Sequence, residues 1–305
     1  MFSVETFVES ERCRHWKSRL TVERMCVYNT SEIEHLVETN VTSTRESEQA
    51  YYLSESDRYF YHCFMTHSKE RRLNEQGIGT FQETSLHAEL KTWYAQPGDQ
   101  MEVSVGGYIV DIVRGDLLIE IQTGNFSALK NKLPLLADRY PVRLVHPIPQ
   151  DKWILRKGAG EKTLSRRKSP KHGSLEDLFS ELVRIPALIT HPNVTIEVLM
   201  VQEEEIWQDD GQGSWRRKGW SIADRRLLGV LERFVLTSPS DFRALLPDGL
   251  PDPFTTRDLA RALHRPPYLA RKMAYCLHKM GAASRVGKRR RAYLYSTSDK
   301  RSDSL

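Results

Sequence analysis

The chain has 305 residues, enough for two domains of ordinary size, and its 39% hydrophobic and 28% charged content is that of a globular protein. No apolar run approaches the ~18 residues of a membrane helix, and the acidic, discontinuous N-terminal stretch argues against a signal peptide. The net charge of +5 is unevenly spread: residues 254–305 hold thirteen Lys or Arg against three Asp or Glu, while residues 1–64 hold seven against eleven. Such asymmetry points to a C-terminal end that faces nucleic acid.

Residues 1–64 contain neither Gly nor Pro and show only weak periodicity. They read as a dispensable extension, or as an over-long reading of the gene, since Met25 and Met65 offer later starts. Residues 1–76 are therefore set apart from the rest of the chain. Cys13, Cys26, Cys63 and Cys276 have no paired spacing, which fits a reducing cytoplasm and argues against a zinc site.

From Gly77 the pattern sharpens. Leu86, Leu90 and Trp93 predict a helix over Ser85–Ala95. Met101–Val105, Tyr108–Val113 and Leu117–Thr123 read as three strands joined by short glycine turns. Asn125 is placed to cap a helix running to Tyr140, and Val142–His146 reads as a strand closed by Pro147 and Pro149. A short strand is expected near Trp153–Leu155.

The hairpin of the second and third strands carries an anomaly. With Gly115-Asp116 as a two-residue loop of type II′, Ile112 faces Ile119 and Asp111 falls opposite Glu120. Two like charges placed so are destabilising, and burying them without partners costs several kcal/mol. A divalent cation between the oxygens relieves both costs, and Mg²⁺ (or Mn²⁺) suits hard oxygen ligands. Glu89 lies beside the apolar stripe of the first helix and either points at the same site or sits on its solvent edge.

The order helix, three strands, helix, strand, with Glu89, Asp111 and Glu120-Ile121-Gln122, resembles the restriction-endonuclease-like PD-(D/E)XK superfamily over residues 80–156. The resemblance implies an α/β fold, a mixed sheet flanked by helices, that hydrolyses phosphodiesters with Mg²⁺. In the family the Asp and Glu hold the metal, here Asp111 and Glu120 with the Ile121 carbonyl. The third motif position is usually Lys, where this chain has Gln122. In some members that lysine comes from the next helix, which points to Lys130 or Lys132.

Beyond this core, Arg156–Gly173 reads as a basic linker and Leu175–Val183 as a helix. Val194–Trp207 and Trp215–Trp220 read as a hairpin around "DDGQG", within a segment taken as 157–222. "WRRKGW" reads as an exposed strand whose arginines pair with Glu203–Glu205. Asp224–Leu236 is expected to be a helix. Phe254–Tyr295 then gives a Thr255/Asp258 capping pair, a break at "HRPP", a helix from Pro267 to Met280 and a two-stranded hairpin. This resembles a winged helix-turn-helix domain, taken as residues 223–298 with a polar tail at 299–305. The resemblance puts Arg271, Lys272 and His278 on the helix entering the major groove, and Lys288, Arg289 and Arg290 at the wing tip. The expectation is a Mg²⁺-dependent DNA endonuclease of the cytoplasm, with a homodimer or an unidentified protein partner left open. The alternative is a non-catalytic DNA-binding protein with a degenerate nuclease-like core.

Overall fold

The computed structural model describes residues 84–158 and 162–298. The expected N-terminal extension and polar tail lie outside the described residues. Helix α1 (Ser85–Tyr94) forms because Leu86, Leu90 and Tyr94 recur every fourth residue and bury one stripe. Strands β1 (Gln100–Val105) and β2 (Tyr108–Arg114) join through Gly106 and Gly107, both at positive φ, as a two-residue turn of that hand requires. The next turn pairs Arg114 with Leu117 and has Gly115 at φ 57°, so the hairpin into β3 (Leu117–Ile121) keeps the predicted register as far as the pair Ile112 and Ile119.

The predicted helix from Asn125 to Tyr140 is broken. Asn125 is itself left-handed (φ 52°), which its short polar side chain tolerates, and caps nothing. A 3₁₀ turn (Phe126–Leu129) and the short helix α2 (Lys132–Ala137) come after it. Strand β4 (Val142–Lys157) runs through Pro147 and Pro149 rather than stopping there. The basic "linker" is in part a strand, β5 (Thr163–Lys168), paired with the far half of β4. A 3₁₀ turn (Leu175–Leu178), helix α3 (Phe179–Leu182) and strand β6 (Val194–Gln208) come next.

The predicted helix Asp224–Leu236 is wrong: Ser221–Leu236 is strand β7, antiparallel to β6. The sheet of the described residues runs β1-β2-β3-β4-β6-β7, with β5 beside β4. It is mixed, since β3, β4 and β6 are mutually parallel and the rest antiparallel.

The sheet is covered on both faces. On one, α1 packs Leu86 and Leu90 on Ile112, Ile119, Ile121 and Leu199. On the other, Val110, Leu118 and Leu144 meet Phe126, Leu133 and the helices of the second half of the chain. Those helices are α3, α4 (Pro239–Arg243), α5 (Thr256–Ala262) and α6 (Pro267–Lys279), with the hairpin β8 (Ser284–Arg289) and β9 (Ala292–Ser296) after them. The Thr255/Asp258 capping box forms as its sequence predicts.

Candidate functional site

Strand β2 turns over at Asp111. In a regular strand Val110 and Ile112 would share a face, yet they belong to opposite apolar layers. The β1–β2 ladder skips the pair Glu102–Asp111, and Glu102 has φ 55°. The β2–β3 ladder ends at Ile112 and Ile119, so Asp111 does not sit in register opposite Glu120 as the hairpin predicts. Its carboxylate reaches one residue further, where Oδ2 accepts the Ile121 main-chain N–H at 2.8 Å.

His87, on α1, closes on the same point. Its Nε2 lies 2.8 Å from the Ile121 carbonyl oxygen and 3.3 Å from Asp111 Oδ2. A carbonyl only accepts, so Nε2 carries the proton. Burial pushes the Asp111 carboxyl up, but the hydrogen bond and charge of His87, the Ile121 N–H and the charge of Lys91 outweigh it and hold the pKa below the ordinary value.

Glu120 points to the other face. Lys132 Nζ, from α2, donates to its Oε1 at 2.5 Å and to the Ile109 carbonyl at 2.5 Å. Glu120 Oε2 is buried and has no hydrogen-bond partner. Burial first, and then the negative charge of Asp111, raises this carboxyl to about 7 against the pull of Lys132. A buried carboxylate oxygen left without a donor is costly, and a proton or a cation relieves it.

The remaining residues singled out from the sequence divide. Gln122 turns away, donating its side-chain amide to the Gly124 carbonyl while its own carbonyl accepts from His146 Nδ1 at 2.6 Å. Lys130 is exposed, beside Pro134 and Arg184. Glu89 accepts the Leu227 main-chain N–H at 2.6 Å and so fastens α1 to β7. It does not sit on the solvent edge of its stripe. His87 takes the place expected of it. Lys91, buried and bonded to Glu102 at 2.6 Å, adds a positive charge near Asp111. Sequence reasoning missed His87 and Lys91; their spacing of four beside Leu86 and Leu90 is the signal that would have found them.

Among the described residues no three His, Cys, Asp or Glu side chains form a metal cage. The candidate oxygen donors are the carboxylates of Asp111 and Glu120, which lie on opposite faces but near enough for the charge of Asp111 to act on Glu120, and the Ile121 carbonyl, which already accepts from His87; one Glu120 oxygen is unmet. That set fits a divalent cation that keeps several waters.

In the C-terminal unit Arg271 is exposed on α6, but Lys272 donates to the Ser180 carbonyl at 3.2 Å, and His278 packs inward near the Ala283 carbonyl and the Tyr295 ring. Lys288 and Arg290 are exposed, whereas Arg289 is ion-paired to Asp258. The "WRRKGW" stretch is not a strand. Trp215–Arg217 forms a 3₁₀ turn, and Glu203, Glu204 and Glu205 pair with Lys152 and Arg166 instead.

The chain is 31% identical over 222 residues to an uncharacterized protein of Treponema pallidum (strain Nichols), covering 72% of this chain and 86% of that one. No solved structure matches. A family described as a domain of unknown function (DUF8091) matches residues 84–237, the segment that holds the whole sheet and the carboxylate site, and the chain belongs to that family.

Proposed function

We propose that this protein is a divalent-metal-dependent DNA endonuclease whose C-terminal unit is a winged-helix DNA-binding module. The observation that carries the reading is the unmet, buried Oε2 of Glu120, close enough to Asp111 for its charge to be felt, with Lys132 on the other oxygen. The helix, three strands, helix and parallel strand around it have the order that the PD-(D/E)XK resemblance implies. Asp111, Glu120 and the Ile121 carbonyl would hold Mg²⁺ or Mn²⁺. The cation would supply Lewis acidity toward the phosphoryl group and toward water. Lys132 holds Glu120 and presents a positive charge where negative charge develops during hydrolysis. His87 orients Asp111 and neutralises part of its charge. Gln122 does not titrate, turns its amide to the Gly124 carbonyl and has no part in this scheme.

The C-terminal helices and hairpin would place Arg271 toward base edges, and Lys288 and Arg290 toward phosphates. The test is incubation of plasmid, linear duplex and branched DNA with the protein in Mg²⁺, Mn²⁺ or EDTA. Cleavage should need the metal and disappear in Asp111→Ala and Glu120→Ala, while DNA binding stays within about twofold of wild type. Equal cleavage by wild type and both variants would sink the site.

A second reading is favoured by a specific observation: His87 and Lys132 already satisfy Asp111 and one oxygen of Glu120. A protein that binds DNA and uses this core as a scaffold would show metal-independent binding and no cleavage. Placement in the cytoplasm is part of either reading. Among the described residues no helix is long and apolar enough to cross a membrane.

A further inference from the structure

Strand β4 has two edges. Strand β6 covers one along its full length, from Val142 to Lys157. The other is shared: β3 takes Val142–Val145, and β5 takes Trp153–Lys157. Strand β5 therefore lies on the same edge as β3, beyond its C-terminal end, where Asp111 accepts the Ile121 main-chain N–H. The chain then returns toward that end, with Ser169 N–H bonded to the Lys152 carbonyl (2.7 Å) and Gly173 N–H to the Pro149 carbonyl (3.0 Å). Gly173 is thus four residues along β4 from Val145, about 13 Å at ~3.3 Å per residue, and Thr163 twelve residues, about 40 Å.

This returning segment is a cationic strip. Residues 162–173 hold five Lys or Arg and no Asp or Glu. Every residue of β5 is exposed. The acidic groups beneath are already matched: Arg166 pairs with Glu204 at 2.7 Å, Lys152 bridges Glu203 and Glu205, and Lys168 pairs with Asp151 at 3.0 Å. Arg166 and Lys168 also lie 5.5 and 5.3 Å from the Trp153 ring centre, which fixes the strip to the sheet. Lys162, Arg167 and Lys171 are exposed and form no ion pair among the described residues. Basic side chains on an edge strand also deter edge-to-edge pairing, which is the competing explanation of such a strip.

We propose, resting on the nuclease reading, that the β5 strip is a second nucleic-acid contact, separate from the C-terminal unit, that holds the phosphate backbone of duplex DNA leading to the Asp111–Glu120 site. Its extent, from about 13 to about 40 Å beyond β3, corresponds to roughly eight base-pair steps at ~3.4 Å each. Contact is to phosphates and indifferent to base sequence.

The test uses the full chain and the triple variant Lys162→Ala/Arg167→Ala/Lys171→Ala, titrated into two unrelated 30-base-pair duplexes across a salt series. Three lost phosphate contacts should flatten the slope of log K against log salt by about 2.7, at ~0.9 per contact, equally on both duplexes. Lysine acetylation with and without duplex gives a direct readout, since Lys162 and Lys171 should be shielded. Wild-type affinity and slope in the variant, with no shielding, would overturn the strip while leaving the nuclease reading intact. The same binding result joined to new self-association of the variant would assign the strip to edge protection and overturn the proposal too. A flattened slope in the variant of a protein whose wild type cleaves nothing in any metal would uphold the strip and remove the nuclease reading. Failure of the wild type to bind duplex at low salt would overturn both.

Discussion

Glu120 and His146 are both buried ionisable groups, and the chain answers them differently. Glu120 keeps a cationic partner and an unmet oxygen, the arrangement of a group that waits for something. His146 is buried, edge-on to Phe126, and donates from Nδ1 to the Gln122 carbonyl. Burial lowers its pKa from the ordinary 6.5, against smaller raising effects of that carbonyl and of Glu181. The unfolded histidine therefore takes a proton near pH 6.5, and the folded one only at lower pH. Between those values the unfolded state binds more protons, so stability is lost as pH falls through the window and is unaffected above it. His146→Asn keeps an N–H for the Gln122 carbonyl and has no such titration. Urea midpoints of wild type and variant, measured from pH 8 down to 5, should converge as the pH drops. Parallel curves would show that His146 protonates as readily in the folded chain. Of the site residues, Asp111 and Glu120 are legible in the sequence because carboxylates in apolar strands break the pattern. Lys132 is legible only through the family resemblance. His87 is not legible, because a histidine on an amphipathic helix breaks no pattern, and it is the roll of β2 at Asp111 that brings it into play.

At the scale of elements, two irregular strands explain where the sequence misleads. Strand β7 imitates a helix because Ala223, Leu228 and Leu231 have no partners across from them in β6. Each such bulge shifts the alternation by one residue, so the apolar residues lose their period of two and take on a helical one. For strand β4, prolines are a sound reason to expect an end, but the reason does not apply here. Val145 and Pro149 turn their carbonyls to the β3–β5 edge, accepting from Gln122 and Gly173. The nitrogens of Pro147 and Pro149 face that same edge, in the gap between β3 and β5, where no ladder bond is asked of them. The gap is filled by the chain around Gly173, and a Cβ at Gly173 would overlap the Pro149 carbonyl oxygen. Gly173→Ala should therefore cost about 1–3 kcal/mol by forcing β4 and the returning segment apart. Gly287→Ala, with open space around it and an ordinary φ, is the control and should lie within about 0.5 kcal/mol of wild type. Equal urea midpoints for the two variants would mean that the segment yields without resistance. By contrast α1, β1 to β3 and the Thr255 cap are legible, since short turns with glycine at the required φ and a regular period leave little ambiguity.

Over the whole molecule, the question is whether the C-terminal helices form a module of their own. The family match stops at residue 237, and the resemblance to a winged helix suggests a separable domain. The packing says otherwise. Residues 84–298 fall within one compact unit. One apolar cluster runs from Leu118 and Leu144 in the sheet, through Phe179 and Leu182 of α3, to Phe242, Met273 and Leu277. Phe179 and Phe242 meet edge to face with ring centres 6.4 Å apart, and Arg265 and Lys272 reach back to Asp177 and to the Ser180 carbonyl. A core shared in this way couples the two parts, because neither can unfold without exposing the other's apolar surface. The described tryptophans, Trp93, Trp153, Trp207, Trp215 and Trp220, all lie before residue 238, so their fluorescence reports α1, the sheet and its loops and none of the C-terminal helices. Phe242 is fully buried on the other side of the junction. Phe242→Ala should cost about 3–5 kcal/mol. If the molecule unfolds as one, that loss must appear as a shifted midpoint in tryptophan fluorescence, although the mutated residue belongs to the C-terminal helices. Amide exchange in α6 should accelerate by the same free energy. A tryptophan transition that stays in place while α6 loses its protection would establish an independent C-terminal module. A common shift would instead establish that both parts unfold as one cooperative body, held together by the shared core.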